Sequence, residues 1–149
     1  MSKRDQIRMT QAEIDTFLAG RRTMNIATNG KDGFPHMVAM WYGFLEDAPA
    51  LWTYAKSQKV RNLQRNNQIS CLVEAGDTYH TLQGVMLMGR GVIIDDREAL
   101  LKVGKSLYER YTGPLTEADR ANIEKDARKR IAIRIDVEKI ISWDHRKLG

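Results

Sequence analysis

The sequence is poor in the residues that build covalent or metal frameworks. One cysteine, Cys71, stands in 149 residues, which excludes an internal disulfide and fits a reducing compartment, so a cytoplasmic protein is expected. The three histidines, His36, His80 and His145, are spaced too widely for a ligand set, and no metal site is predicted. Each reads instead as a surface or internally satisfied histidine. No Gly-x-Ser-x-Gly or other nucleophile motif occurs, so the sequence singles out no catalytic side chain. Long apolar runs are missing too. Phe34–Leu45 is broken by Pro, His and Gly and falls far short of the roughly 20 residues that cross a bilayer. Met1–Arg8 is charged, with no apolar segment behind it, and no secretory signal is expected. There is no internal repeat and no low-complexity segment.

What is present suits a soluble globular protein. The length predicts one domain, residues 1–149. Hydrophobic residues at 42% against 29% charged allow a real core. The formal charge of +5 favours an anionic partner: nucleic acid, anionic lipid or a small polyanion.

Element signals follow along the chain. Thr10 and Glu13 form a capping box, with Ile14, Phe17 and Leu18 on one face and Gly20 as a stop. A strand is predicted at Thr23–Asn29, a tight turn at Gly30–Gly33, and a strand over His36–Leu45. Glu46–Pro49 reads as a turn and Ala50–Tyr54 as the third strand. Ser57 opens a basic helix over Gln58–Asn66 that buries Val60 and Leu63. Strands follow at Ile69–Glu74 and Tyr79–Ile94, the second bent at Gly84, Gly89 and Gly91. Asp95 and Glu98 cap a helix over Arg97–Tyr111, Thr116–Arg128 is a second helix, and Ile131–Trp143 holds the last strand. The sum is about six strands, mostly joined by hairpins: a mainly β antiparallel barrel with flanking helices.

The informative stretch is Trp52–Leu63. A strand ends, Ser57 caps a helix, and Lys59 and Arg61 stand in its first turn. Free N–H groups, a hydroxyl and an ammonium converge there, as an anion site requires. An ordinary capped surface helix with solvated lysines fits the same residues. The basic stretch carries no aromatic side chains, which counts against nucleic acid. Trp41, Tyr42, Tyr79 and His80 are candidates for lining a pocket, since aromatic faces pack on planar heterocycles. Cys71, Met86 and Met88 read as core or interface residues.

The segment resembles the S-x-K-x-x-N-L pattern of the pyridoxamine 5′-phosphate oxidase-like, flavin-binding split-barrel superfamily, in Ser57, Lys59, Asn62 and Leu63. Gly33-Phe-Pro35, Leu51–Tyr54, Leu82–Val85, Gly89–Gly91 and Asp95-Asp96 continue the likeness over about Thr10–Trp143. The resemblance implies a six-stranded antiparallel split β-barrel and a homodimer sharing two cofactor sites, with Trp143 and the tail near His145 reaching the neighbouring subunit. It implies that Ser57 and Lys59 bind a cofactor phosphate and that Met37, Val38 and Ala39 lie against the flavin ring. Members that use FMN usually carry an arginine in the strand after the proline, and Pro35–Trp41 has none. The chain is more similar to the branch that uses the deazaflavin coenzyme F420, whose anionic tail suits Lys56, Lys59, Arg61 and Arg65. The expected function is hydride transfer from reduced F420 to an organic acceptor, with a proton from solvent or from Tyr79 or His80. The alternatives are an FMN-dependent oxidase or reductase and a non-catalytic flavin or deazaflavin carrier. Neither nucleic acid nor membrane is an expected partner.

Overall fold

The computed structural model describes residues 1–149. Seven strands, β1 (Met24–Asn29), β2 (Pro35–Met40), β3 (Gly43–Leu45), β4 (Ala48–Tyr54), β5 (Gln68–Ala75), β6 (Gln83–Ile94) and β7 (Arg130–Asp144), form one antiparallel sheet in the order β2-β1-β5-β6-β7-β4-β3. Five helices flank it: α1 (Lys3–Ile7), α2 (Gln11–Ala19), α3 (Gln58–Arg65), α4 (Arg97–Thr112) and α5 (Glu117–Ala127).

Two bonds from α3 reveal the curl of the sheet. Asn62 Nδ2 donates to Thr28 Oγ1 on β1 at 3.0 Å, and Lys59 Nζ donates to Thr53 Oγ1 on β4 at 3.0 Å. Those strands are separated by β5, β6 and β7, so the sheet is rolled into a half-barrel that α3 bridges. Alternation along the strands sends Ile26, Cys71, Val85, Leu87 and Ile133 into the roll, where Phe17 of α2 and Leu63 of α3 meet them. Full burial of a side chain the size of Leu63 stabilises by roughly 1.5–3 kcal/mol. On the other face of β4 and β7, α4 and α5 cover Ala50, Trp52 and Ala132. Gly104 permits that approach, because a Cβ there would lie 2.8 Å from the Trp52 ring.

Of the three glycines expected to bend β6, Gly89 sits at a register slip, whereas Gly84 and Gly91 stay in register and make room for the Trp143 and Leu63 side chains. The β6–β7 register slips between Met88 and Gly89, the β-bulge that a curled sheet uses to turn. The strand expected over His36–Leu45 is two strands, which makes the count seven rather than six. At Trp41–Tyr42 the backbone leaves the ladder because α4 supplies other partners. Arg110 Nε donates to the Tyr42 carbonyl at 2.9 Å, and Tyr111 Oη accepts from the Tyr42 N–H at 3.3 Å. The next turn is only Glu46-Asp47, both at positive φ (51° and 68°), a tight hairpin that takes Ala48 and Pro49 into β4. Tyr79–Thr81 is a 3-10 turn, and β6 begins at Gln83. The cap of α4 is Asp96, whose side chain accepts from the Ala99 N–H, one residue beyond the expected Asp95. No helix is long and apolar enough to cross a membrane.

Candidate functional site

Ser57 occupies the N-cap position of α3 with extended backbone angles, yet its hydroxyl makes no capping bond. The Oγ is buried and has no hydrogen-bond partner, which corrects the expected cap. A buried polar atom left unpaired costs about 1–3 kcal/mol. Two residues on, Lys59 is buried as well. Its ammonium has one partner, Thr53 Oγ1, and takes part in none of the ion pairs of the protein. Burial holds the ammonium below the usual lysine pKa, because nothing nearby repays the lost hydration. A buried cation without a counter-charge, two residues from a buried hydroxyl without a partner, is an arrangement that an anion could complete.

Asn62 is fully buried and makes three hydrogen bonds. It donates to Thr28 Oγ1, and its Oδ1 accepts from Gln58 at 2.9 Å and Arg65 at 3.3 Å. It pins α3 to β1.

His36 joins the site although its place in the sequence does not mark it. It lies directly opposite Thr28 in the β1–β2 pair and therefore on the inward face, next to the Asn62 anchor. Its Nδ1 is buried without a partner. Ser57 Oγ and His36 Nδ1 are the two such side-chain atoms in the molecule. His36 lines a polar cleft of about 510 Å³ with Lys31, Asp32, Gln58 and Asn62, so the cleft reaches the first turn of α3, which Ser57 opens. The alternation of β2 could have found His36, since 36, 38 and 40 point inward. The identity of its unpaired nitrogen needed the fold.

β2 is an edge strand, so one side of its backbone is free to meet a ligand. Met37 and Ala39 face outward and Val38 packs on the core. Lys56, Arg61 and Arg65 are exposed around α3, although Arg65 is tied to the Asn29 carbonyl at 2.6 Å. Trp41 is exposed and lies flat on Tyr111, centroids 4.5 Å apart. Tyr42 is fully buried in the core and lines no pocket. Tyr79 and His80 are exposed beyond the far end of β5 from α3. Tyr79 packs on His145, whose Nδ1 is 2.7 Å from the Tyr79 carbonyl.

Comparison with known proteins fits this geometry. The family model described as pyridoxamine 5′-phosphate oxidase matches residues 10–144. Among solved structures, the conserved hypothetical protein Rv2991 from Mycobacterium tuberculosis is 46% identical, with TM-score 0.94 over 100% of this chain and 93% of that one. An F420 reductase is 26% identical, with TM-score 0.63 over 85% of this chain and 94% of that one. The heme storage protein HutZ from Vibrio cholerae shares the fold at 16% identity and TM-score 0.68, over 89% of this chain and 94% of that one. A comparison with curated proteins returns no match. With a half-barrel bridged by α3, and with the family match running from the first strong helix to the end of the last strand, the chain belongs to the pyridoxamine 5′-phosphate oxidase-like split-barrel family.

Proposed function

We propose that this chain is an oxidoreductase that uses reduced coenzyme F420 to reduce an organic acceptor, working in the cytoplasm as a homodimer of one-domain subunits. The observation that carries the reading is the buried, uncompensated Lys59 ammonium next to the unpaired Ser57 hydroxyl. The deazaflavin, when bound, supplies the hydride; the protein binds, orients and keeps water out. Ser57 and Lys59 hold the phosphate, and His36 Nδ1 donates to it from the opposite side. The edge of β2 at Met37, Val38 and Ala39 carries the ring. Lys56 and Arg61, exposed on the outside of the helix start, attract the glutamate tail. The acceptor gains a hydride from the cofactor and a proton from solvent.

Charge supports F420 over FMN. The phospholactyl group is a phosphodiester with a single negative charge, which one buried lysine balances. A phosphomonoester approaches two negative charges at neutral pH and calls for a second fixed cation, which Pro35–Trp41 lacks. The F420 reductase among the structural neighbours points the same way.

The dimer would form through the outer face of β2, β1, β5, β6 and β7. Two registered rows cross it, Met37, Ala27, Ser70, Met88 and Ala39, Asn25, Leu72, Met86, Ile141. Helices α2 and α3 bury themselves on the opposite face, so these mostly small or apolar side chains are exposed or only half-buried within the chain. A calorimetric titration with F420 and with FMN tests the cofactor assignment. F420 should bind more tightly; tighter FMN binding overturns the preference, and binding of neither overturns the function.

A further inference from the structure

The rolled sheet is open at one place. Along β7 the inward side chains Ile131, Ile133 and Ile135 are buried in the core, as strand alternation requires. The next two on that side, Val137 and Ile140, stand opposite Gly89 and Leu87 of β6, yet each is 37% exposed. The extra residue at Glu138 is the reason that 137 and 140 share a side. Nothing covers them from β4, which pairs with β7 only as far as Ala50 and Arg134. Before that point the Glu46-Asp47 turn carries the chain away into β3.

The gap is a cleft of about 480 Å³, with Leu87, Val137 and Ile140 on one side and Ile14, Leu18 and Phe44 on the other. Asp15 and Asp47, both exposed, also line it, and here the local charge runs against the net +5 of the chain. Neither carboxylate belongs to an ion pair. Asp15 Oδ1 accepts from Gln11 Nε2 at 2.8 Å, which leaves Oδ2 open. The guanidinium groups of neighbouring elements are already engaged. Arg110, over the Phe44 ring at 4.9 Å, donates to the carbonyls of Leu18, Ala19, Gly20 and Tyr42. Arg134 is held by both oxygens of Asp136.

We propose that this cleft binds a hydrophobic organic cation, an alkyl body that carries a protonated amine. The apolar body fills the gap between β7 and α2, and the ammonium is held by charge-assisted hydrogen bonds from the rim carboxylates. Apolar walls with a few polar groups that fix orientation, at this volume, are the usual make-up of a small-molecule site. An added peptide strand is a poorer occupant, because the bulge and the charges of Asp136, Glu138 and Lys139 guard the free edge of β7 against pairing. The subunit interface proposed above uses the other face of β7, where Ile141 lies, and so leaves the cleft open. The site stands apart from the cofactor, since Asp47 precedes β4 and Thr53, which holds Lys59, is near its far end.

The probe is n-octylammonium, titrated calorimetrically into the cofactor-free protein at pH 7, where an alkylamine is protonated. Binding should saturate at one molecule per chain, at least tenfold tighter than that of n-octanoate, and the preference should shrink as salt rises. Asp15→Asn and Asp47→Asn together should weaken n-octylammonium at least tenfold. Both positions are exposed, and asparagine tolerates the positive φ at position 47, so the fold is kept. Ile140→Trp, which fills the cleft from an exposed position, should weaken it as much, and F420 should bind every variant as it binds wild type. Equal affinity for n-octanoate, uptake without saturation, or unchanged affinity in the paired asparagine variant would overturn the assignment. So would a fall in mass from two chains to one on Ile140→Trp, by light scattering, since the cleft would then belong to a second copy of the chain. Should n-octylammonium bind as expected and F420 not bind at all, the cleft stands and the cofactor reading falls.

Discussion

The Lys59 ammonium lies 3.0 Å from Thr53 Oγ1, and a neutral hydroxyl is the sole compensation for a buried positive charge. Lys59→Met should therefore act in opposite directions on stability and on binding. A folded-state lysine pKa below its unfolded value makes folding release protons, so Lys59 lowers stability at neutral pH, and the penalty fades as the pH rises toward 10.5. Replacing it with an apolar chain of similar length should raise Tm by about 2–4 °C for each ~1 kcal/mol relieved. F420 affinity should fall about 10- to 150-fold, the worth of one charge-assisted hydrogen bond of ~1.5–3 kcal/mol. Calorimetry and thermal melts on one pair of samples read both effects. A destabilised variant with unchanged affinity would make Lys59 a structural residue.

The unpaired Nδ1 of His36 should contribute to F420 binding. In a calorimetric titration His36→Ala should weaken F420 several-fold, whereas Asp32→Asn, in the same cleft, should not; unchanged affinity in His36→Ala would remove the residue from the site.

Much of this site is legible in one dimension. Ser57, Lys59 and the edge strand Met37–Ala39 come from a strand-end, helix-start pattern and a resemblance, and the bulge at Gly89 comes from the glycine pattern of β6. Lys59 reads as a solvated first-turn cation in the sequence, because only the curl of the sheet brings Thr53 over it. The split of β2 from β3 is hidden for a similar reason: its cause is Arg110 and Tyr111, some seventy residues away in the chain. Tyr79 and His80 look like pocket residues from their chemistry; what the sequence does not show is that they form a 3-10 turn ahead of β6, with Tyr79 packed on His145.

The dimer face can be tested without cofactor. Leu72→Lys places a charge at the centre of the outer rows, opposite Asn25 and Met86, where wild-type Leu72 is only half buried in the single chain. Light scattering should give about twice the 17.1 kDa chain mass for wild type and a single chain mass for the variant. A wild-type monomer that binds F420 would refute the shared interface.

Asp144 holds the C-terminal turn in place through Arg146. Hydrogen bonds from Arg146, first from its guanidinium and then from its backbone N–H, hold the carboxyl below the usual aspartate range. A lowered folded-state pKa means that the stabilisation is complete above about pH 4 and is lost as the pH falls further. Asp144→Asn should cost about 1–2 kcal/mol at pH 7, and urea melts should show the gap to wild type narrowing at pH 3.

The most direct test of the phosphate assignment is the 31P resonance of F420 titrated with the protein. One cofactor per chain should saturate the shift of the diester phosphorus in wild type, and the shift should be lost in both Lys59→Met and Ser57→Ala. A bound F420 whose phosphorus does not move, or moves in the two variants as it does in wild type, would contradict the placing of the phosphate at the start of α3.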